Sequence, residues 1–162
     1  MNINKELIKN NFEKDGYASV KPLFDKEKID EINNELNRSI IECVPKMPDN
    51  KVYYEDKSDK SSIKQLFKMF LYDEYFKNLI EPSVIRKLAE EVLGEKVRAD
   101  NLQYFNKPPG IGKPTPPHQD GYYWHLKEPK AVTCWLALEP VDEENGYNTN
   151  IGSVSIYTKI FC

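Results

Sequence analysis

The sequence predicts an α+β fold, in which helices come first along the chain and strands follow. Three observations carry this prediction. Apolar residues recur at helical spacing up to Gly94, strand-like alternation begins at Val97, and aromatic residues are frequent enough throughout to build a core. The length of 162 residues suits one domain of ordinary size, spanning 1–162.

The first predicted elements are a short strand and a long amphipathic helix. Residues 16–23 alternate small or apolar with polar side chains, which is typical of a strand. Asp25 is then placed to cap a helix, because its side chain can accept a hydrogen bond from the first turn. The apolar stripe of this helix is predicted to be Ile29, Ile32, Leu36 and Ile40.

Two further helices are predicted before Gly94. After a polar loop over 45–60, a second helix is predicted from the stripe of Ile63, Leu66, Phe67 and Phe70. A third helix is bracketed by Pro82 in its first turn and Gly94 at its end. Its buried face is predicted to be Ile85, Leu88, Ala89 and Val92.

Strands are predicted in the second part of the chain, over 97–106, 132–138 and 154–161. Between the first two lies 107–117, whose five prolines and two glycines predict a constrained loop.

Composition and charge exclude several classes of protein. A net charge of −3 without a basic run argues against nucleic acid as the main partner. The largely apolar run over 132–138 is too short to span a membrane. Three cysteines at unrelated spacings are predicted to be free thiols in a reducing compartment, so we expect a cytoplasmic protein.

A metal site is suggested by His118 and Asp120. Residues i and i+2 of a strand point to the same face, so the imidazole and the carboxylate can reach one ion. Such a pair is two-thirds of the facial triad that binds non-haem Fe(II) and leaves coordination positions open. The alternative is an ordinary hydrogen-bonded pair at the start of a strand.

The surrounding motifs resemble the phytanoyl-CoA dioxygenase family. The run from Phe105 to His125 contains Asn106-Lys-Pro-Pro109 and His118-Gln-Asp120, and residues 131–146 and 12–17 are also similar to the family. The resemblance covers about 12–146 and leaves 147–162 as a divergent tail. It implies N-terminal helices flanking a double-stranded β-helix, or jelly roll. It also implies Fe(II)- and 2-oxoglutarate-dependent hydroxylation of a small organic or acyl substrate by O₂.

The resemblance assigns roles to seven residues. It makes His118 and Asp120 metal ligands, places Gln103, Trp135 and Lys64 at the 2-oxoglutarate site, and places Tyr122 and Trp124 near the substrate. The last five have ordinary alternatives as well. Trp135 could belong to the core, Gln103 could be a solvent-facing strand residue, and Lys64 could be a solvated helix lysine. Tyr122 and Trp124 could pack under the proline-rich loop.

The family's third iron ligand is a downstream histidine, followed by an arginine that binds 2-oxoglutarate. Here no histidine follows His125 and no arginine follows Arg98. A jelly roll also needs about eight strands, more than the sequence indicates. We therefore expect a C-terminally truncated family member with weak or absent turnover.

Two alternatives remain open at this point. One is a non-catalytic half-barrel module that self-associates through open strand edges, which the hydrodynamic size of the protein would test. The other is a zinc site formed by His118, His125 and Cys134, which predicts tightly held zinc.

Overall fold

The structure, a computed structural model, describes residues 4–81, 83–108, 110–112, 130–141 and 154–157. The helices are α1 (Lys5–Asp15), α2 (Lys26–Glu42), α3 (Glu74–Ile80) and α4 (Val84–Leu93). The strands are β1 (Tyr17–Val20), β2 (Val52–Tyr54), β3 (Ile63–Leu66), β4 (Tyr104–Phe105), β5 (Thr133–Leu136) and β6 (Val154–Tyr157). This mixture of helices and strands confirms the predicted α+β class.

The chain divides into two compact units. The first combines the described parts of Met1–Glu31, Val84–Val97 and Pro116–Cys162, and the second those of Ile32–Ser83 and Arg98–Thr115. The boundary between them falls within α2.

The first unit contains an antiparallel sheet with the strand order β1-β6-β5. Helices α1 and α4 contact each other, and an ion pair of 3.3 Å joins the Lys5 ammonium to the Glu91 carboxylate. The apolar cluster of this unit consists of Ile8, Ala18, Val20, Leu23, Leu88, Val92 and Ile156. This cluster contains residues of α1, α4 and the sheet, so the two helices cover one face of the sheet.

Two predicted helix boundaries are confirmed in this unit. The Lys28 N–H donates to Asp25 Oδ1 at 2.9 Å, so Asp25 caps the start of α2. Helix α4 ends at Gly94, whose φ of 71° is a left-handed conformation that glycine adopts without steric cost. Pro82 lies outside the described residues.

The second unit contains an antiparallel sheet with the strand order β2-β3-β4. Ile63 and Leu66, at the two ends of β3, are 5% and 0% exposed. Neighbouring apolar side chains of the unit are also buried: Val44, Met47, Met69 and Phe76.

The predicted helix at 63–70 is wrong. Its first four residues form β3, which pairs with β2 on one side and β4 on the other. Leu66 pairs with Val52 and Ile63 with Tyr54, and the register shifts between Tyr53 and Tyr54, so Lys64 is the extra residue of a β-bulge. Because Val52 and Tyr54 share a face of β2, their buried partners Leu66 and Ile63 share a face of the sheet as well. A bulged strand with one buried face therefore mimics helical spacing.

Other boundaries differ from the sequence-based expectation as well. The predicted loop at 45–60 contains β2, whose Val-Tyr-Tyr sequence favours a strand. The predicted strand at 97–106 is confirmed only at β4. The strand predicted at 132–138 is confirmed at β5, and the one predicted at 154–161 is confirmed at β6 over 154–157, its described part. Helices α1 and α3 were not expected. Among the described residues, none of the helices has the length and apolar composition needed to cross a bilayer.

The buried carboxylate of Asp73 links helices α2 and α3 of the second unit. Nη2 of Arg38 on α2 donates to both carboxylate oxygens, at 3.0 and 2.9 Å, and the Tyr75 N–H donates at 3.0 Å to cap α3. The Cys43 thiol lies 3.4 Å from Oδ2. Burial alone would raise the pKa of Asp73, but hydrogen bonds from Ser39, Arg38 and Tyr75 outweigh it and hold the pKa below its usual value.

Replacing Asp73 should destabilise the protein. We expect Asp73→Asn to lower the free energy of unfolding by about 2 kcal/mol, because Arg38 loses its buried partner. Urea unfolding measures this change. The matched control is Glu74→Gln, since Glu74 is exposed and forms a surface ion pair with Lys77, and it should shift stability by less than about 0.5 kcal/mol. Equal effects of the two substitutions would contradict the role given to Asp73.

The same carboxylate predicts a pH dependence. Because its folded pKa is lowered, Asp73 contributes stability that is fully present above the ordinary carboxyl pKa and is lost as the pH falls through the folded value. Asp73→Asn should therefore reduce the loss of stability on acidification. Urea unfolding at a series of pH values from 7 downward tests this, and parallel curves for wild type and variant would refute it.

Candidate functional site

The predicted metal ligands, His118 and Asp120, lie outside the described residues, as do Tyr122, Trp124 and His125. Their roles remain predictions. Within the described ranges, no group of three His, Cys, Asp or Glu side chains is placed to hold a metal ion. The chemistry of the predicted donor pair, one imidazole nitrogen and one carboxylate oxygen, suits Fe(II).

Trp135 lies on β5, on the side of the sheet that faces away from the apolar cluster of the first unit. Val132, Cys134 and Leu136 pack against that cluster. Because side chains alternate along a strand, Trp135 points to the opposite face, where it is half-buried. The orientation of Trp135 therefore argues against the alternative that its side chain belongs to the apolar cluster of the first unit.

Cys134 belongs to the core side of β5. Its thiol is partly buried against the apolar cluster, and burial raises its pKa to about 12. The thiolate is the form that acts as a nucleophile or a metal ligand. In this environment Cys134 is a small apolar side chain.

Lys64 lies on β3 and not on the predicted helix. Its ammonium group is 3.0 Å from Oε1 of Glu55, whose side chain is only 6% exposed. Its carbonyl accepts a 2.8 Å hydrogen bond from the N–H of Asn106, just after β4. Lys64 is thus a strand lysine with an internal anionic partner.

Gln103 immediately precedes β4 and is exposed. Nδ2 of Asn101 donates to its Oε1 at 3.1 Å. The preceding carbonyl, that of Leu102, accepts a 3.0 Å hydrogen bond from the Met69 N–H, which fixes the backbone beside Gln103.

The register of this sheet places Gln65 beside Phe105. Gln65 pairs with Phe105 and Leu66 with Tyr104, so Gln65 and Phe105 share one face. Lys64 is the extra residue of the β-bulge in β3, because the pairing moves from Tyr53 with Gln65 to Tyr54 with Ile63. Sequence analysis missed Gln65, because only strand pairing reveals which side chains share its face.

The raised pKa of Cys134 predicts low reactivity. At pH 8 a thiol with a pKa near 12 is ionised to about one part in ten thousand, so alkylation of native Cys134 should be about a hundredfold slower than that of Cys43. Mass spectrometry of the separated peptides after iodoacetamide treatment measures both rates. The difference should vanish in 8 M urea, and equal rates in the native protein would contradict the burial of the thiol.

Comparison with known proteins agrees with the motifs around His118. The sequence model of the family described as Phytanoyl-CoA dioxygenase (PhyH) matches residues 12–146. A mouse (Mus musculus) protein named peroxisomal phytanoyl-CoA dioxygenase is 33% identical over 78 residues, a match that covers 46% of this chain and 23% of the mouse protein. The matched part is thus well under two thirds of that relative's length. Since the family match covers most of the sequence, the chain belongs to the phytanoyl-CoA dioxygenase family.

Proposed function

We propose that this chain is an Fe(II)- and 2-oxoglutarate-dependent dioxygenase, built as one domain over 1–162 on a jelly roll flanked by helices. The observation that carries the proposal is the family match, which includes both His118-Gln-Asp120 and Trp135. The orientation of Trp135 away from the apolar cluster supports a role outside the core.

His118 and Asp120 are the proposed metal ligands. One neutral imidazole and one carboxylate hold a divalent ion while leaving positions for a co-substrate and O₂. Bound Fe(II) supplies the activation of O₂ that couples decarboxylation of 2-oxoglutarate to hydroxylation of the substrate. His118 and Asp120 are the two protein ligands that we propose within these 162 residues.

Gln103, Trp135 and Lys64 are proposed to contact 2-oxoglutarate, and Tyr122 and Trp124 the substrate. The exposed amide of Gln103 can donate to a carboxylate oxygen, and the half-buried indole of Trp135 can exclude water. Lys64 already pairs with Glu55, so a co-substrate carboxylate would compete with that internal partner.

The proposed substrate is a small organic or acyl molecule, hydroxylated with O₂. The mouse relative's name refers to phytanoyl-CoA and to the peroxisome for that protein. For this chain we propose a cytoplasmic location, supported by Cys43 and Cys134, which are free thiols.

Metal binding tests the proposed ligands. Co(II) replaces Fe(II) without oxygen sensitivity, and its visible absorption reports the bound ion. We expect His118→Ala and Asp120→Ala each to weaken Co(II) binding by about tenfold or more.

His125→Ala is the matched control, because it removes the second histidine of the same segment. It should leave Co(II) affinity unchanged. An equal loss in His125→Ala and His118→Ala would refute the two-ligand assignment and favour the zinc site that includes His125 and Cys134.

Co-substrate binding tests the other assignments. In Co(II)-loaded protein we expect Gln103→Leu to weaken 2-oxoglutarate binding by about fivefold, the value of one hydrogen bond. Lys64→Met should weaken it by less than about twofold, because Lys64 is held by Glu55. Isothermal titration calorimetry measures the 2-oxoglutarate affinity of both variants. A larger loss of affinity in Lys64→Met than in Gln103→Leu would contradict this prediction.

A further inference from the structure

A row of three side chains crosses the sheet of the second unit. Tyr53 on β2 pairs with Gln65 on β3, and Gln65 pairs with Phe105 on β4. Cross-strand partners share a face, and neighbouring strands lie about 4.8 Å apart, so the row extends across about 10 Å. We call these three residues the aromatic–amide row.

The two faces of this sheet differ in burial. The row on the opposite face contains Val52, Leu66 and Tyr104, and Leu66 at its centre is fully buried. On the face of the aromatic–amide row, Tyr53 is 46% exposed, and Gln65 is half-buried. The aromatic–amide row therefore remains partly accessible.

The chemistry of the row is that of a binding surface. The Tyr53 ring packs edge-on against Phe67, with ring centroids 5.4 Å apart and planes at 68°, which holds the ring in place. The side-chain amide of Gln65, between two rings, has no hydrogen-bond partner among the described residues. A ligand with a flat apolar body and one polar substituent would satisfy both features.

We propose that the aromatic–amide row binds the planar, conjugated ring of the organic substrate, with Gln65 hydrogen-bonding to a polar substituent of that ring. The proposal deepens and rests on the proposed dioxygenase function, because the ring belongs to the substrate of that reaction. Aromatic side chains favour stacked or edge-on contacts with flat rings. The row contains no Leu, Ile, Val or Met, the side chains that would line a channel for a saturated acyl chain.

The test uses the full 162-residue protein and two neutral probes that each carry one hydroxyl group, 2-naphthol for a planar ring and 1-octanol for a saturated chain. Ligand-observed NMR measures both affinities. We expect 2-naphthol to bind at least fivefold more tightly than 1-octanol. Tyr53→Leu, which keeps apolar bulk but removes the ring, should weaken 2-naphthol binding at least fivefold, and Gln65→Leu at least threefold.

The matched control is Tyr17→Leu, because Tyr17 is an exposed strand tyrosine of the first unit, 44% exposed against 46% for Tyr53. It should leave 2-naphthol binding unchanged. Circular dichroism confirms that each variant is folded. Preference for 1-octanol, or 2-naphthol binding that survives Tyr53→Leu, overturns the proposal.

Co(II) binding, measured on the same samples, separates this inference from the proposed function. Tyr53→Leu should leave Co(II) affinity unchanged. Selective 2-naphthol binding in a protein whose Co(II) binding does not depend on His118 would support the row as a site for planar rings and refute the dioxygenase assignment. Co(II) binding that depends on His118, together with 2-naphthol binding that is unchanged in Tyr53→Leu, would support the proposed metal site and refute the role of the aromatic–amide row.

Discussion

The buried carboxylate of Asp73 is the interaction on which the second unit depends. Removing a charge from water is costly unless its oxygens are fully hydrogen-bonded, and Asp73 meets this condition with donors from Arg38, Ser39, Cys43 and Tyr75. These donors lie on α2, just after α2 and at the start of α3. One side chain therefore fixes two helices that are more than thirty residues apart in sequence.

Backbone hydrogen bonds link Asp73 to the segment that carries Gln103. The N–H of Asp73 donates to the carbonyl of Met69, and the N–H of Met69 donates to the carbonyl of Leu102, at 3.1 and 3.0 Å. Lys68, in a left-handed conformation with φ 54°, donates its N–H to Asn101 Oδ1. The backbone next to Gln103 is thus held by a chain of hydrogen bonds that begins at a helix cap.

How much the sequence predicted depended on the distance over which each signal acts. Asp25 and Gly94 act within one helical turn, so the start of α2 and the end of α4 were predicted correctly. The strand β3 was not, because the bulge at Lys64 that brings Ile63 and Leu66 to one face comes from strand pairing, which the sequence does not display. The same limit applies to the candidate site: the roles of Gln103 and Trp135 are predictions from a family resemblance, whereas the position of Gln65 opposite Phe105 required the register.

The register also bears on Lys64, whose family-based role depended on a helix that does not form. To bind a co-substrate carboxylate, Lys64 must leave Glu55, whose side chain is only 6% exposed. Breaking a largely buried ion pair costs more than forming a solvent-exposed pair gains. A co-substrate that binds Lys64 therefore replaces the Glu55 carboxylate with its own, at a net cost in free energy. A co-substrate that binds the exposed Gln103 displaces the hydrogen bond from Asn101. Of the two residues, Gln103 can contribute more to affinity, and Lys64 mainly stabilises the β2–β3 hairpin.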